Sequence, residues 1–507
     1  MAADKFWSHF KSGTDIRGVA VDGVGGEPLD LTDEVIEKIT KAFACFIYEK
    51  AGKNGLNVAV GHDSRISAER IKAAVIKALV KSGMNVTDCG LSSTPAMFMT
   101  TVDLGCDASI QITASHHPYH RNGLKFFLPT GGLEGKDISV LLDYTEREHF
   151  IISSKEGTVK TENYMKRYSE NLCEMIKKGV NAEDYEHPLK GYKIVVDAGN
   201  GAGGFYAENV LKVLGADTDG SRYLEPDGMF PNHIPNPENE KAMESICEAV
   251  KESNADFGVI FDTDVDRAGC VDSFGNEINR NKLIALASAI ALEGNEGGTI
   301  VTDSVTSSGL KEFIEKDLGG VHHRFKRGYK NVINESIRLN NEGINSPLAI
   351  ETSGHAALRE NYFLDDGAYL ITKIIIKLAR LGKEGKTLTE LTAALKEPVE
   401  SKEIRMKILE EDFAACGNRI INELEKYAES KSDWHIADDN REGIRVSFDK
   451  ENGDGWFLLR LSVHDPIMPL NIESDSVGGV KKIAGKLYEF LKNVQGLDIS
   501  PVESSLN

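Results

Sequence analysis

The sequence is short of positive charge and lacks paired cysteines. It has 59 Lys and Arg against 79 Asp and Glu, a formal net charge of −20. Partners such as nucleic acid or an anionic membrane require clustered Lys and Arg, so neither is expected, although a locally basic cleft can still bind a small anion. The seven cysteines include no CxxC pair. This argues against a zinc site and indicates reduced thiols in a cytoplasmic protein.

Long apolar runs are also missing. No run approaches the ~20 residues of a membrane helix, and the longest candidate, Leu283–Leu292, is predicted to be a buried helix. The polar start, Met1 to Phe10, is unlike a signal peptide. Hydrophobic residues make up 41% of the 507 residues and charged residues 27%. This composition predicts a globular protein. The length predicts roughly three or four domains, because domains average about 100–200 residues.

Short apolar runs alternate with helical patterns, which predicts α/β units with parallel sheets. The predicted strands are Asn57–Val60, Ser109–Thr113, Lys193–Asp197, Phe257–Phe261 and Thr299–Thr302, and the predicted helices are Ser67–Ser82, Ala207–Leu214 and Lys241–Glu252. A smaller α+β domain is expected at the end of the chain, with helices Glu410–Ser430 and Val477–Val494 beside strands Gly443–Phe448 and Gly455–Val463. The predicted domains are residues 1–160, 161–280, 281–397 and 398–507.

A serine with histidine neighbours follows one predicted strand. Residues 112–118 read Ile-Thr-Ala-Ser-His-His-Pro, and Asn-Gly-Leu-Lys follows at 122–125. Ser115 can act as a nucleophile or carry a phosphoryl group where nearby charge stabilises its alkoxide or phosphoester. The alternative is an ordinary turn serine. A protease triad is not indicated, because a triad is a spatial arrangement and no GxSxG motif is present.

Three aspartates alternate after another predicted strand. Asp262, Asp264 and Asp266 precede Arg267. Their carboxylates repel one another unless a cation lies among them, and a set of oxygen ligands favours Mg²⁺. The alternative is a solvated acidic loop. An EF-hand is excluded, because Arg267 and Ser273 stand where that loop needs Gly and Glu.

Two segments in the third predicted domain suit a sugar phosphate. Residues 351–355, Glu-Thr-Ser-Gly-His, offer sugar hydroxyls both donors and acceptors. The alternative is a helix N-terminus capped by Ser353. Upstream, residues 326–330, Lys-Arg-Gly-Tyr-Lys, form a basic turn that either faces a phosphate, supplies a general acid or is solvated.

The last predicted domain contains a candidate phosphate-binding segment. Residues 460–466 read Arg-Leu-Ser-Val-His-Asp-Pro. Arg460, Ser462 and His464 alternate and can surround a phosphate dianion, to which Arg gives paired hydrogen bonds. The same alternation fits one face of an edge strand.

One motif favours a different function. Residues 199–204, Gly-Asn-Gly-Ala-Gly-Gly, match GxGxxG after a predicted strand, and Asp217 and Asp219 lie about twenty residues on. This pattern is typical of a nicotinamide-dependent oxidoreductase. A tight turn between a strand and a helix explains the glycines equally well.

In this order, the segments resemble the α-D-phosphohexomutase superfamily, and most of all its phosphomannomutase/phosphoglucomutase group. The resemblance spans nearly the whole chain. It extends to residues 12–18 (SGTDIRG), residues 58–67 (VAVGHDSRIS), and Phe230 through Pro237. The segment around Ser115 is similar to the family's phosphoserine loop, and the aspartate segment is similar to its magnesium loop. ETSGH is similar to the sugar loop, and RLSVHDP stands where the phosphate loop is expected. The resemblance implies three related α/β domains and a smaller C-terminal α+β domain around a central cleft.

The resemblance also implies a reaction. The protein would be an isomerase that interconverts hexose 1-phosphate and hexose 6-phosphate, with mannose or glucose as the sugar. Phospho-Ser115 would donate its phosphoryl group, and hexose 1,6-bisphosphate would be both intermediate and activator. By the resemblance, Mg²⁺ would be held by a phosphoserine oxygen with Asp262, Asp264 and Asp266. The reacting end would be lined by Arg17, His116, Lys125 and Arg267, and the general acid or base would be Lys330 or His355. The sugar would be bound by Glu351 and Ser353, and the rest of the substrate, with its other phosphate, by Gly328, Arg460, Ser462 and His464.

Several positions depart from the family pattern. Val463 and His464 stand where the phosphate loop has Gly or Asn and then Thr, Ile350 replaces a Gly, and Pro469-Leu470 occupy a place where a basic residue is common. We predict that His464 gives a charge-assisted hydrogen bond to the non-transferring phosphate; the alternative is that it points to solvent.

The sequence leaves other choices open. Glucosamine or N-acetylglucosamine phosphate is an alternative substrate, and a non-catalytic sugar-phosphate-binding relative is an alternative of another class. A monomer and a homodimer both fit the sequence.

Overall fold

The first part of the chain forms a mixed sheet with helices packed on it. Its strands are β1 Lys11–Ser12, β2 Asp15–Val19, β3 Asn57–His62, β4 Asn85–Leu91, β5 Ala108–Ile112, β6 Arg121–Leu128, β7 Gly131–Gly132 and β8 Val159–Thr161, and its helices are α1 Ala3–Ser8, α2 Asp33–Ala51, α3 Ala68–Lys81, α4 Thr94–Asp103 and α5 Gly135–Glu146. The computed structural model describes residues 3–462 and 465–506 of the protein. The strand order is β1-β2-β6-β5-β3-β4-β8, with β7 on β6.

This sheet is only partly parallel, which corrects the expectation from the sequence. Strands β5, β3, β4 and β8 run parallel, whereas β6 and β2 are antiparallel to their neighbours. The physical reason is the short connection from β5 to β6, which holds no crossover helix, and a parallel pair needs such a crossover. The core beneath the helices is apolar and includes the tilted rings of Phe43 and Phe126, whose centroids lie 4.5 Å apart.

The second part of the chain is a smaller mixed sheet. Its elements are α6 Tyr164–Val180, β9 Ile194–Asp197, a π-helix over Tyr206–Leu211, α7 Glu240–Ser253, β10 Phe257–Phe261, β11 Ala268–Asp272 and β12 Glu277–Ile278. The sheet order is β12-β11-β10-β9, and only β9 and β10 are parallel. The helix predicted over Ala207–Leu214 is therefore a shorter π-helical segment.

Three parallel strands follow. The elements of this part are α8 Asn281–Ala291, β13 Thr299–Thr302, α9 Ser308–Glu312, a π-helix over Phe313–Asp317, β14 Val321–Arg324, α10 Tyr329–Asn341 and β15 Leu348–Ile350. β13 pairs in parallel with both β14 and β15. The chain then forms the antiparallel pair β16 Ala356–Leu358 and β17 Leu364–Asp365, the helix α11 Gly367–Lys383, which packs on α6, and the short helix α12 Leu388–Leu391.

The last part is an antiparallel sheet with helices, as predicted for an α+β domain. It contains β18 Glu400–Lys407, α13 Phe413–Glu429, β19 His435–Ile436, β20 Ile444–Phe448, β21 Gly455–Leu459, β22 Ile467–Ser474, α14 Gly479–Leu491 and α15 Ser500–Leu506. The strand order is β18-β22-β21-β20-β19. β21 ends at Leu459, so Arg460 and Ser462 lie beyond the strand that was predicted to run to Val463.

Contacts divide the chain into two compact units. One comprises Met1–Asn279 with Ser353–Glu390, and the other Arg280–Thr352 with Leu391–Asn507. The predicted four-domain α/β fold class is confirmed, whereas the exact domain limits stay a prediction. Over residues 3–462 and 465–506, no helix is both long and apolar enough to cross a membrane. All seven cysteines are free thiols.

Candidate active site

Ser115 lies in a sharp turn directly after β5. Its φ of 51° places it in the left-handed region, which is uncommon for a residue other than glycine and tends to occur at functional sites. Its main-chain N–H donates to Thr113 Oγ1 at 2.9 Å, and the His117 N–H donates to the Ala114 carbonyl oxygen at 3.1 Å. Ser115 is only 4% exposed.

Arg65 binds the main chain of this turn. Its guanidinium donates to four carbonyl oxygens, those of Ser115, His117 (2.7 Å), Pro118 (2.8 Å) and Arg121 (2.9 Å). Its Nε donates to Asp63 Oδ2 at 3.2 Å, and both side chains are buried. Sequence reasoning noted Arg65 only as part of a family motif and assigned it no role. A planar guanidinium with five donors suits such a clamp, and a lysine could not replace it.

The Ser115 hydroxyl contacts three side chains. Oγ donates to Asp262 Oδ2 at 3.3 Å, accepts from Arg267 Nη2 at 3.1 Å and lies 3.3 Å from His116 Nδ1. Arg267 Nη2 also donates to His116 Nδ1 at 2.5 Å. Burial, followed by the charge of Arg267, holds the pKa of His116 far below its usual range. His116 is therefore a neutral acceptor beside the serine.

The three aspartates form a buried loop between β10 and β11. They are at most 2% exposed, so the alternative of a solvated acidic loop is wrong. Lys125, on β6, donates to Asp264 Oδ2 at 2.9 Å and to Asp266 Oδ2 at 2.5 Å. Arg267 Nε donates to Asp262 Oδ2 at 3.1 Å. Thr94, at the start of α4, donates through both N and Oγ1 to Asp264, a contact that the sequence did not reveal.

These aspartates fit a Mg²⁺ ion. One carboxylate oxygen from each lies within 4.8 Å of the others. Two buried oxygens, Asp264 Oδ1 and Asp266 Oδ1, have no hydrogen-bond partner in the described structure. Lys125 and Arg267 donate hydrogen bonds to these carboxylates, and burial and the other two aspartates raise the pKa of Asp262 well above its usual value. An oxygen-only set with spare lone pairs and uncompensated charge suits a hard divalent cation.

His355 lies beside the aspartate loop. Gly354, with φ +92°, approaches β11 closely, since an added Cβ would lie 2.6 Å from the Ala268 carbonyl oxygen. His355 Nδ1 hydrogen-bonds to Asp365 and lies 4.0 Å from Asp266 Oδ1. Burial alone would lower the pKa of His355, but these two carboxylates raise it to about 9. The imidazole is therefore mainly protonated near neutral pH.

Two other predicted residues lie in the same unit. Arg17, on β2, donates from Nη2 to Asp15 Oδ2 at 2.9 Å, and its buried Nε has no partner among the described residues. Its charge is one of those that hold the pKa of His116 below its usual range, after burial and the charge of Arg267. Ser353 is buried, and strand β16 rather than a helix follows it, so the helix-cap alternative is wrong.

The second unit brings the basic turn and the phosphate segment together through Glu442. Glu442 Oε2 accepts from the Arg327 N–H at 3.1 Å and from Ser304 Oγ at 2.6 Å, and Oε1 lies 4.0 Å from Arg460 Nη1. Arg460 is 9% exposed and its Nε has no partner within the described ranges. Glu442 stands in no recognisable motif, because its contacts come from three separate segments.

The remaining predicted residues of this unit are also placed. Glu351, at the end of β15, accepts from the Gly328 N–H at 2.5 Å, and Lys330 lies in the first turn of α10. Ser462 Oγ accepts from the Asp465 N–H at 3.3 Å, which argues against an edge strand at this point. The prediction for His464 falls outside the described residues.

The glycines of the GxGxxG match pack against the protein's own chain. An added Cβ would lie 2.7 Å from the Thr263 carbonyl oxygen at Gly201, 3.0 Å from the Phe261 ring at Gly203 and 2.2 Å from the Leu224 carbonyl oxygen at Gly204. The glycines are therefore explained by close contacts of this turn with β10, with the loop that follows β10, and with the main chain at Leu224. A dinucleotide site is not needed to explain them.

Known protein families match most of the chain. Models described as phosphoglucomutase/phosphomannomutase alpha/beta/alpha domains I, II and III match residues 11–149, 166–275 and 279–398. A phosphoglucomutase/phosphomannomutase of Thermococcus kodakarensis is 32% identical over 459 residues, covering 90% of this chain and 93% of that protein. A phosphoglucomutase of Neisseria gonorrhoeae is 29% identical over 481 residues, covering 94% and 96%.

Two solved structures resemble this chain over nearly its whole length. A phosphoglucomutase/phosphomannomutase family protein from Burkholderia thailandensis superposes with a TM-score of 0.79 at 27% identity, covering 96% of this chain and 98% of that one. An N-acetylphosphoglucosamine mutase of Aspergillus fumigatus, solved with GlcNAc-6P and magnesium, has a TM-score of 0.54 at 13% identity, covering 97% and 99%. At that identity the second likeness concerns the fold alone.

Proposed function

The chain belongs to the phosphoglucomutase/phosphomannomutase family of mutases, and we propose that it interconverts the 1- and 6-phosphates of mannose or glucose. One observation carries the proposal. The Ser115 hydroxyl lies 3.1 Å from Arg267 Nη2 and 3.3 Å from Asp262 Oδ2, at the edge of a buried loop with two unpartnered carboxylate oxygens. This set of groups suits a serine that carries a phosphoryl group.

In the proposed first step, phospho-Ser115 reacts with the free hydroxyl of a hexose phosphate. The hydroxyl oxygen bonds to phosphorus, the bond from phosphorus to Oγ breaks, and its electron pair stays on Oγ. Arg267 Nη2 stabilises the charge on Oγ. The hydroxyl proton passes to a general base, for which Lys330 and His355 are the candidates. When bound by Asp262, Asp264, Asp266 and a phosphoserine oxygen, Mg²⁺ supplies neutralisation of the transferring group.

The second step is the first in reverse from the other end of the sugar. The hexose 1,6-bisphosphate reorients, and Ser115 Oγ takes up the other phosphoryl group while the general acid returns the proton. The enzyme ends phosphorylated as it began, so the reaction is an isomerisation. A raised pKa suits His355 to the acid role, because its imidazole is mainly protonated near neutral pH. The Lys125 ammonium and the neutral His116 imidazole complete the surroundings of the phosphoserine.

The basic turn, the phosphate segment and the loop after β15 would hold the part of the substrate that does not react. Arg460, whose buried Nε has no partner among the described residues, and Ser462 are proposed to bind the other phosphate, together with the basic turn at Gly328. Glu351 and Ser353 are proposed to bind sugar hydroxyls that mannose and glucose share. A carboxylate and a hydroxyl supply both acceptor and donor to such hydroxyls. Mg²⁺ and the hexose bisphosphate are the cofactors that this scheme requires.

A coupled assay tests the proposal. Purified protein is given mannose, glucose, glucosamine or N-acetylglucosamine 1-phosphate with Mg²⁺ and a trace of the matching bisphosphate, and formation of the 6-phosphate is followed. We expect mannose or glucose phosphate to turn over fastest. Fastest turnover of an amino sugar phosphate would contradict mannose or glucose as the substrate. Binding of these sugar phosphates without turnover would contradict the proposal that the protein is a catalyst. Reduction of a nicotinamide cofactor would instead favour the oxidoreductase.

The setting of the reaction is also part of the proposal. We place it in the cytoplasm, which the seven free thiols support. The proposed assembly is a monomer or a homodimer, which sedimentation velocity measures.

A further inference from the structure

A thiol, a carboxylate and an imidazole meet in the first 161 residues, outside the Ser115 site. Cys45 and Glu49 are four residues apart on α2, so their side chains lie on the same face of the helix. His149 follows α5, and its N–H donates to the Tyr144 carbonyl oxygen at 2.9 Å. Their donor atoms all lie within 4.8 Å of one another. Glu49 Oε1 is 2.9 Å from His149 Nε2 and 3.8 Å from Cys45 Sγ.

These separations lie a few tenths of an ångström on either side of the edges of a tetrahedral coordination sphere, so small side-chain movements would complete it. Bond lengths of about 2.3 Å to sulfur and about 2.0–2.1 Å to nitrogen or oxygen give edges of about 3.3–3.6 Å around Zn²⁺. We propose that Cys45, Glu49 and His149 form a second metal site, selective for a transition metal such as Zn²⁺, with the fourth position open to water. Thiolate and imidazole ligands favour Zn²⁺ over Mg²⁺ or Ca²⁺.

The surroundings of the three residues suit an ion that arrives from solvent. Glu49 and His149 are exposed, whereas Cys45 is buried behind them. The Tyr144 hydroxyl donates to Glu49 Oε2 at 2.6 Å and orients the carboxylate, leaving Oε1 toward the thiol and the imidazole. Such outer hydrogen bonds commonly hold metal ligands in place. The bound ion would connect α2 to the segment that follows α5.

Binding involves loss of one proton and no change of oxidation state. Burial and the neighbouring Glu49 raise the pKa of the Cys45 thiol to about 11. The thiol therefore releases its proton to solvent as the sulfur binds the ion. Glu49 binds through Oε1, which has a lone pair for the metal. His149 Nε2 donates its proton to Oε1 in this structure, so the imidazole first exchanges with solvent to the tautomer that carries the proton on Nδ1 and then binds through Nε2.

Cobalt(II) is the probe that tests this site. The full-length protein is titrated with Co²⁺ while excess Mg²⁺ occupies the aspartate loop. We expect a near-ultraviolet charge-transfer band from thiolate to cobalt and visible bands of tetrahedral Co²⁺, all displaced by Zn²⁺. Cys45→Ser should abolish the charge-transfer band. Cys247→Ser, a change at a cysteine outside this cluster, is the control and should leave all bands intact.

The exposed ligand provides a second variant that preserves the core. His149→Gln should weaken Zn²⁺ binding, measured by competition with Co²⁺, by at least roughly 10- to 100-fold, the loss usual even for an outer-shell partner. The proposal is overturned if the wild type shows no charge-transfer band at saturating Co²⁺, if the band survives in Cys45→Ser, or if His149→Gln binds Zn²⁺ as tightly as the wild type.

Discussion

Replacing Arg65 by Lys tests whether the serine turn is held by one guanidinium. Arg65 is 2% exposed and donates to four main-chain carbonyl oxygens of the turn and to Asp63. A lysine keeps the positive charge but carries its three donors on a single nitrogen. It cannot reach acceptors spread along the turn from Ser115 to Arg121. The variant therefore changes geometry while preserving charge.

The expected magnitude follows from these contacts. If two of the four carbonyl oxygens lose their partner while buried, each costs about 1–3 kcal/mol, so the native turn loses about 2–6 kcal/mol. The left-handed conformation of Ser115 is itself strained by about 1–3 kcal/mol and depends on its surroundings. A displacement near 1 Å of a reacting group lowers turnover by about 100-fold. We expect kcat of Arg65→Lys to fall by about that factor, with a much smaller change in KM.

Steady-state assay with the preferred hexose phosphate measures both constants, and thermal unfolding measures stability. The matched control is Arg70→Lys, because Arg70 Nη2 also donates to main-chain oxygens, those of Ala20 and Leu31, at 3.0 and 3.1 Å, but not to the serine turn. Its turnover should stay close to that of the wild type. Intact-mass analysis should also show faster loss of the phosphate adduct from Arg65→Lys. A variant with wild-type kcat and a wild-type adduct lifetime would refute the reasoning.

Three further predictions follow from the same structure. Ser115→Ala should lower turnover by orders of magnitude and should lack the phosphate adduct that intact-mass analysis is expected to show in the wild type. The control Ser139→Ala, on α5, should keep both wild-type turnover and the adduct. A chelator should abolish turnover and Mg²⁺ should restore it, whereas Ca²⁺, which is larger and tolerates looser geometry, should bind without supporting it; full activity in chelator would contradict the metal site. His233→Asn should lower the free energy of unfolding most at acid pH. Both ring nitrogens of His233 lie 3.0 Å from acceptor oxygens. Burial lowers the pKa of His233, but the hydrogen bond and charge of Asp197 outweigh it, so the pKa is raised. That stabilisation, about 1.5–3 kcal/mol, is complete below the unfolded pKa of about 6.5 and disappears as pH rises through the raised folded value. A difference in unfolding free energy that does not change with pH would disprove it.

Much of the candidate site was predictable because its residues follow strands directly in the sequence. Ser115 comes after β5, Asp262 after β10 and Glu351 after β15, and each apolar run is visible without any structure. Side chains at the ends of buried strands are positioned by the sheet, so a short motif there carries information about the site. The grouping of Ser115 with Asp262 and Arg267 was likewise expected from the family resemblance.

Residues whose role depends on distant contacts were not predictable in the same way. Thr94 binds Asp264 across 170 residues of sequence, and Glu442 joins Ser304, the basic turn and Arg460. Neither residue stands in a motif with a chemical signature. The GxGxxG match is a recognisable motif, but it does not indicate a dinucleotide site here. Glycines that let the chain approach a phosphate closely also let it approach its own backbone.

The two loops at the Ser115 site are both held in strained conformations by such distant residues. Val265, in the aspartate loop, has a φ of 66°, rare for a β-branched side chain, and its carbonyl oxygen accepts from the Gly367 N–H at 3.1 Å. An added Cβ at Gly367 would lie 2.7 Å from the Arg267 carbonyl carbon, so only glycine allows this approach. Arg65 likewise holds Ser115 in its left-handed conformation, through hydrogen bonds to the main chain of the serine turn. The motif residues carry the chemistry, but their geometry is set by partners that sequence spacing cannot identify, because strain persists only where surrounding contacts outweigh it.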